Sequence, residues 1–327
     1  MKKTLTDPFL LALVGMVVLA VAWPEPGRSG GFLHLEQAST YGVAVVFFLY
    51  GLTLAPEKMR AGLIHWRLHL VVVFGTFVLF PLIMLATEAA ARPLLPATVW
   101  TGFFYVAALP STVSSSVAMT SLAKGNVPAA LFNASLSSLI GVFATPALMA
   151  WYLSQTGAAA LPLGDVILKI VLLVMVPTAL GQILHRPLAR WSARHARAIK
   201  ILDRVIILSI VYNSFANSVV EGLWQRHEPS LLVEIAVMSV AIFFVVYGLL
   251  IIPCRLLGFD RADRVAALFC GSKKSLATGV PLAGIIFGTG PEVGLILAPI
   301  MLYHFLQLVI VGFIANRHGQ TAEAAVT

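Results

Sequence analysis

The chain has 327 residues, of which 59% are hydrophobic and only 11% charged, with a formal net charge of +8. A mean hydropathy of +0.92 excludes an ordinary soluble domain, and long continuous apolar runs exclude a β-barrel, whose strands alternate. The positive charge does not mark a nucleic-acid surface, because the basic residues sit in short loops between apolar runs.

The predicted class is an all-α polytopic membrane protein with ten spans: 8–23, 38–55, 68–87, 98–123, 127–153, 163–185, 201–221, 230–253, 262–287 and 292–315. Lys2-Lys3, the apolar run and Ala20-Val21-Ala22 also fit a signal peptide, but the symmetry described below gives this segment a partner. Connections carry Pro, Gly and charge, as in Pro24-Glu25-Pro26-Gly27, Pro56-Glu57-Lys58 and Arg92-Pro93. The tail 317–327 is expected to be disordered and cytoplasmic. Cys254 and Cys270 lie near or inside spans, with neither metal spacing nor a disulfide framework. With the N-terminus inside, sixteen Lys and Arg fall on the cytoplasmic side and four (Arg28, Arg92, Lys169, Arg226) on the other. That bias predicts both termini inside.

Shifting the first five spans by 163 residues lays them on the second five. Five is odd, so the second copy is inverted in the membrane, a pattern of secondary transporters. The same shift sets Lys273 opposite Pro110. Span four carries Pro110-Ser111-Thr112-Val113-Ser114-Ser115-Ser116, where proline breaks helical bonding. Span nine carries Gly271-Ser272-Lys273-Lys274-Ser275, two lysines within an apolar run. A lysine at the centre of a span costs about 2.5–3.5 kcal/mol on insertion scales, so it must face protein, water or a ligand. Interrupted helices at matching positions point to a binding site.

These residues resemble the sodium/bile acid symporter family over nearly the whole chain, and within it the bacterial branch with Gly-Ser-Lys-Lys-Ser in the second broken helix. The shared features are Gly51-Leu52-Thr53-Leu54, His65-Trp66-Arg67-Leu68-His69, Ala123-Lys124-Gly125-Asn126-Val127 and, most specific, Phe269-Cys270-Gly271-Ser272-Lys273-Lys274-Ser275. The resemblance implies a panel domain (1–62 and 161–225, spans 1–2 and 6–7) and a core domain (63–160 and 226–316, spans 3–5 and 8–10), with broken helices four and nine crossing. The chain departs from sodium-coupled members at the decisive place. Phe269 stands where they carry an acidic residue, and Lys273 and Lys274 stand where they carry Gln-Asn. A sodium-ligating carboxylate is absent and a fixed cation is present. Ser114 and Ser115 remain the candidate ligands if a sodium site persists.

One ammonium, of Lys273 or Lys274, is therefore expected where other members hold a metal ion. The negative end of the first half-helix and span-four serine hydroxyls would steady it. It could carry a proton through the cycle or bind an anionic substrate directly; the bland alternative has one lysine reach water and the other act as a static counter-charge. Further candidates to line the site are Asn133 on span five, Asn213 and Asn217 on span seven, and His304 with Gln307 on span ten. Interhelical hydrogen bonding is the alternative for each. No enzyme motif is present: there is no His-Glu-x-x-His, Walker loop or Gly-x-Ser-x-Gly. The expected function is secondary active transport of small organic anions, bile-acid-like, across a bacterial inner membrane. The expected motion is core against panel, with a proton or sodium as coupling ion and no cofactor. An inorganic cation/proton antiporter and a non-transporting sensor or scaffold are the alternatives. Substrate identity, oligomeric state and which lysine acts are not written in the sequence.

Overall fold

A computed structural model of the protein describes residues 8–37, 41–53, 65–156, 168–169, 171–222, 225, 228 and 230–324. The described residues are helical, with no strand among them. The helices in chain order are α1 (Pro8–Ala22), α2 (Val43–Thr53), α3 (Trp66–Leu94), α4 (Ala97–Ala108), α5 (Val113–Leu122), α6 (Val127–Gln155), α7 (Val171–Ile183), α8 (His185–Arg194), α9 (Ala196–Val220), α10 (Ser230–Leu256), α11 (Arg261–Gly271), α12 (Leu276–Ile286) and α13 (Val293–Ala324). Lys2-Lys3, Pro56-Glu57-Lys58 and the domain boundaries at 62/63 and 160/161 lie outside the described residues.

Among the described residues four helices, α3, α6, α10 and α13, are long and apolar enough to cross a bilayer, and up to six spans result if each bent pair counts as one. The bent pairs are α4 with α5, at 64°, and α7 with α8, at 89°. The expected span 98–123 is interrupted at 109–112 and the expected span 262–287 at 272–275. The two interruptions share one register: adding 163 to Ala108 and Val113 gives Gly271 and Leu276, the same helix ends in the second pair.

Two other expectations need correction. The 186–200 stretch is not a plain basic loop but contains α8 and the start of α9. The tail does not fray at residue 317, because α13 continues to Ala324. Arg261 at the start of α11 holds that extension, its guanidinium donating to the carbonyls of His318 and, at 3.1 Å, Ala123.

Packing follows the small residues. The α2 and α7 backbones touch at Gly51 and Gly181; a Cβ on Gly181 would strike the Phe48 carbonyl, and one on Gly51 the Thr178 carbonyl. Such close approach lets membrane helices associate where lipid leaves no hydrophobic driving force. Elsewhere α13 packs on α4, α9 on α1, and α10 on α13 and α11. The outward faces are apolar, with Val233, Val237 and Phe244 of α10 exposed, as lipid contact requires.

Gly181→Leu should force α2 and α7 apart and destabilise the fold by at least about 2 kcal/mol, read as a lowered unfolding temperature in detergent. Gly15→Ala, at a site with open space around it, should leave that temperature unchanged.

Candidate functional site at the helix crossing

The two interruptions meet in the interior. Pro110 has no N–H and drives Leu109 into extended geometry (φ −72°, ψ 152°), so α4 stops. The second break contains no proline. There the Ser272 hydroxyl donates back to the Leu268 carbonyl at 2.7 Å, and Ser275, also extended, caps α12 by accepting the Thr278 amide at 3.2 Å. The Ser275 amide donates to the Pro110 carbonyl at 2.8 Å and fastens one break to the other.

A helix end leaves its last carbonyls without partners. At the end of α4 two side chains answer them. The Ala108 carbonyl accepts the Thr145 hydroxyl at 2.7 Å. The Ala107 and Leu109 carbonyls accept Lys274 Nζ, at 2.6 and 2.8 Å. The third N–H of that ammonium goes to the Thr76 carbonyl of α3 at 2.8 Å. Local sequence frees this carbonyl. A π-helical turn over Gly75–Leu79 draws the Phe80 amide back to the Gly75 carbonyl, and the next residue, Pro81, has no N–H to give. The Phe80 ring lies 4.3 Å from the ammonium and adds a cation–π contact. The Lys274 charge thus rests on the negative end of α4 with all its donors used.

The Lys274 backbone is held as firmly. Gln307 accepts from its amide and donates to its carbonyl, both at 2.8 Å. His304 Nδ1 lies 3.3 Å from that carbonyl and 2.9 Å from Gln307 Nε2. Tyr303 donates to the Ser272 carbonyl at 2.7 Å. His304 and Gln307 thus meet the main chain of Lys274 and not its ammonium.

Lys273 is different. It too is fully buried, so neither lysine reaches solvent. Its Nζ donates to Ser115 Oγ at 2.7 Å, the one hydrogen bond it makes among the described residues. An ammonium has three N–H groups. Ser115 Oγ is also 2.8 Å from Thr112 Oγ1, and Ser116 Oγ is 3.2 Å from the same hydroxyl. Ser116 donates to the Phe269 carbonyl at 3.4 Å, and the Ser111 amide to Ser137 Oγ at 2.9 Å. Among the described residues no carboxylate pairs with either lysine. Ser114 points to the exposed side of α5, and Ser115 already serves the ammonium, so the two do not converge as cation ligands.

Three expected residues sit elsewhere. Asn133 Oδ1 accepts from His69 Nδ1 at 3.0 Å, binding α3 to α6, and Asn133 Nδ2 donates to the Ala129 carbonyl at 2.8 Å. Asn213 donates to the Gly27 carbonyl at 2.8 Å. Asn217 donates to Ser29 Oγ at 3.0 Å and to the Thr289 carbonyl at 2.9 Å, and accepts the Ser29 amide at 2.7 Å. Asn213 and Asn217 are a clasp on the loops after α1 and α12, not lining at the lysines.

Sequence reasoning passed over Thr76, Phe80 and Thr145; Gly75 and Pro81 within one apolar span were the available signal for the first two. It also passed over Asp203 on α9. One carboxylate oxygen of Asp203 is buried with no hydrogen-bond partner among the described residues, in a helix whose start otherwise reads as basic.

Interrupted helices that gather polar groups inside an apolar bundle are the architecture of membrane transporters. The chain belongs to the SBF-like CPA transporter family, whose model matches residues 7–320. It is 40% identical to an uncharacterized protein of Pseudomonas aeruginosa over 99% of this chain and 96% of that one. It is 36% identical to a protein of Escherichia coli that carries the provisional name symporter YfeH, over 97% and 94%. It is 31% identical to sodium/bile acid cotransporter 7 of Danio rerio, over 92% and 90%. The resemblance carried by residues 269–275 holds over nearly the whole chain, and the family is one of transporters, not enzymes.

Lys274→Met should strand three carbonyls and destabilise the protein by about 3 kcal/mol or more. Lys273→Met removes a charge held by one hydroxyl and should change stability by less than about 1 kcal/mol. Thermal unfolding of both variants in one detergent checks the contrast.

Proposed function

We propose that the protein is a secondary active carrier of small organic anions in a bacterial inner membrane, with ten spans in two inverted repeats and both termini cytoplasmic. The shared 163-residue register of the two interruptions supports the repeat. The core, 63–160 and 226–316, moves against the panel, 1–62 and 161–225, and exposes the crossing alternately to either side. The names of the relatives, a symporter and sodium/bile acid cotransporters, support a bile-acid-like solute and a coupling ion.

The single observation that carries the reading is the seat of Lys274 on the Thr76, Ala107 and Leu109 carbonyls. A ring of backbone oxygens at a broken helix is the usual seat of a coupling cation. Here a tethered ammonium fills it permanently. Lys274 is then the structural charge and Lys273 the working one. With one hydroxyl partner, Lys273 keeps donors for the anionic group of the solute.

Cation/proton antiport is a second reading that one observation favours: the buried oxygen of Asp203, without a hydrogen-bond partner among the described residues, could serve a cation. Uptake of labelled taurocholate and a panel of smaller organic anions in proteoliposomes, with internal pH recorded, separates the two. Solute uptake that persists when choline replaces sodium supports the anion carrier; sodium- or potassium-driven proton efflux without solute uptake supports the antiporter. Lys273→Ala should lower uptake at least about tenfold, as expected for a lost charged hydrogen bond, while the purified variant unfolds at the wild-type temperature. Wild-type uptake by Lys273→Ala would overturn the assignment.

A further inference from the structure

α7 ends in lipid-facing residues, Leu180 (48% exposed) and Ile183 (71%). The chain then turns by 89° into α8. α9 begins directly afterwards, and its exposed Ile201 and Val205, one turn apart, resume an apolar outer face. α8 therefore sits between two lipid-facing stripes, at the level where apolar surface gives way to polar. His185 Nδ1 donates to the Leu52 carbonyl at 2.6 Å and Gln182 Nε2 to the Gly51 carbonyl at 2.6 Å, so the turn is fastened to the end of α2.

The helix has two faces. Ser192 is buried and Leu188 and Ala189 are half-buried, whereas Arg186, Arg190 and Arg194 are exposed. Spacing of four places the three arginines along one edge. Arg197 continues the run at the start of α9 and lies on the same face as Ile201 and Val205, directly above the lipid-facing stripe. None of the four has a carboxylate partner among the described residues. The one acidic residue between Ile183 and Val220 is Asp203, and one of its oxygens is buried. Trp191 is 47% exposed and stacks on His195 with ring centroids 4.8 Å apart. An amphipathic helix with arginines on its polar edge and an exposed tryptophan is built to lie in the headgroup layer.

We infer that α8 and the first turn of α9 bind the phosphate headgroups of acidic phospholipids through Arg190, Arg194 and Arg197. Guanidinium groups suit this partner because they pair with phosphate through two parallel N–H donors. Trp191 anchors the same segment among the glycerol backbones. The site stands apart from the helix crossing and does not depend on which solute is carried.

Native mass spectrometry of the full-length protein, delipidated and re-supplied with equimolar phosphatidylglycerol and phosphatidylcholine, tests it. Wild type should retain phosphatidylglycerol at least about fivefold over phosphatidylcholine, and R190Q/R194Q/R197Q should bring the ratio near one. Arg186→Gln alone should leave a clear preference. An unfolding temperature equal to wild type in neutral detergent shows that the triple variant is folded; if it is not, the pairwise variants R190Q/R194Q and R194Q/R197Q replace it and should each lower the ratio. No preference in wild type, or an undiminished one in folded variants, would overturn the inference. Equal displacement of the lipid by soluble inositol hexakisphosphate at matched phosphate would overturn it too, by assigning the patch to a soluble polyanion.

Discussion

Inside a bilayer no water answers a backbone carbonyl that a helix has let go. The ammonium of Lys274, seated on the carbonyls of Thr76, Ala107 and Leu109, is the answer on which this fold depends. Two separate irregularities create those acceptors: the proline stop after α4, with Leu109 extended, and the π turn ahead of Pro81. Each would be unfavourable alone. Together they form a cradle that one cation closes, while Thr145 and Ser275 supply the remaining donors. Breaks and lysine stabilise each other, which is why α4 and α11 can both stop in the interior.

The neighbouring lysine gains no such enclosure. Lys273 and Lys274 are adjacent in sequence and equally buried, yet one is saturated by main-chain oxygens and the other meets a single serine hydroxyl. The difference follows from direction. The Lys274 side chain enters the end of α4 and the Lys273 side chain the start of α5. The first position is rich in carbonyls, the second in hydroxyls, which both accept and donate. A charge in the first setting is part of the scaffold; a charge in the second can exchange partners.

Much of this was legible in the residues. Pro110 with its serines and the Gly271-to-Ser275 stretch marked both interruptions, and a shift of 163 paired them before any coordinates. An ammonium on the negative end of a half-helix was an expectation from the chemistry, but which lysine takes the end of α4 was not readable. What could not be read was three-dimensional reach. Asn213 and Asn217 share a helix face that suggested a cavity, but the loops after α1 and α12 fold onto that face and take their amides. Gly75 and Pro81 hinted at an irregular turn, but they do not specify the π register that frees the Thr76 carbonyl. α8 was hidden because periodicity in a short basic stretch reads as a charged loop, and Arg261 had no sequence signal for its grip on the end of α13.

The side-chain amide of Asn217 bonds two loops at once, Ser29 after α1 and Thr289 after α12. Those loops belong to different bodies in the proposed exchange of access. The amide is therefore a latch across the seam, and parting it trades a few neutral hydrogen bonds for water, at about 0.5–1.5 kcal/mol each. In the proposed exchange that amide, like the Ser218 hydroxyl on the Pro291 carbonyl beside it, is a neutral catch rather than a charged one.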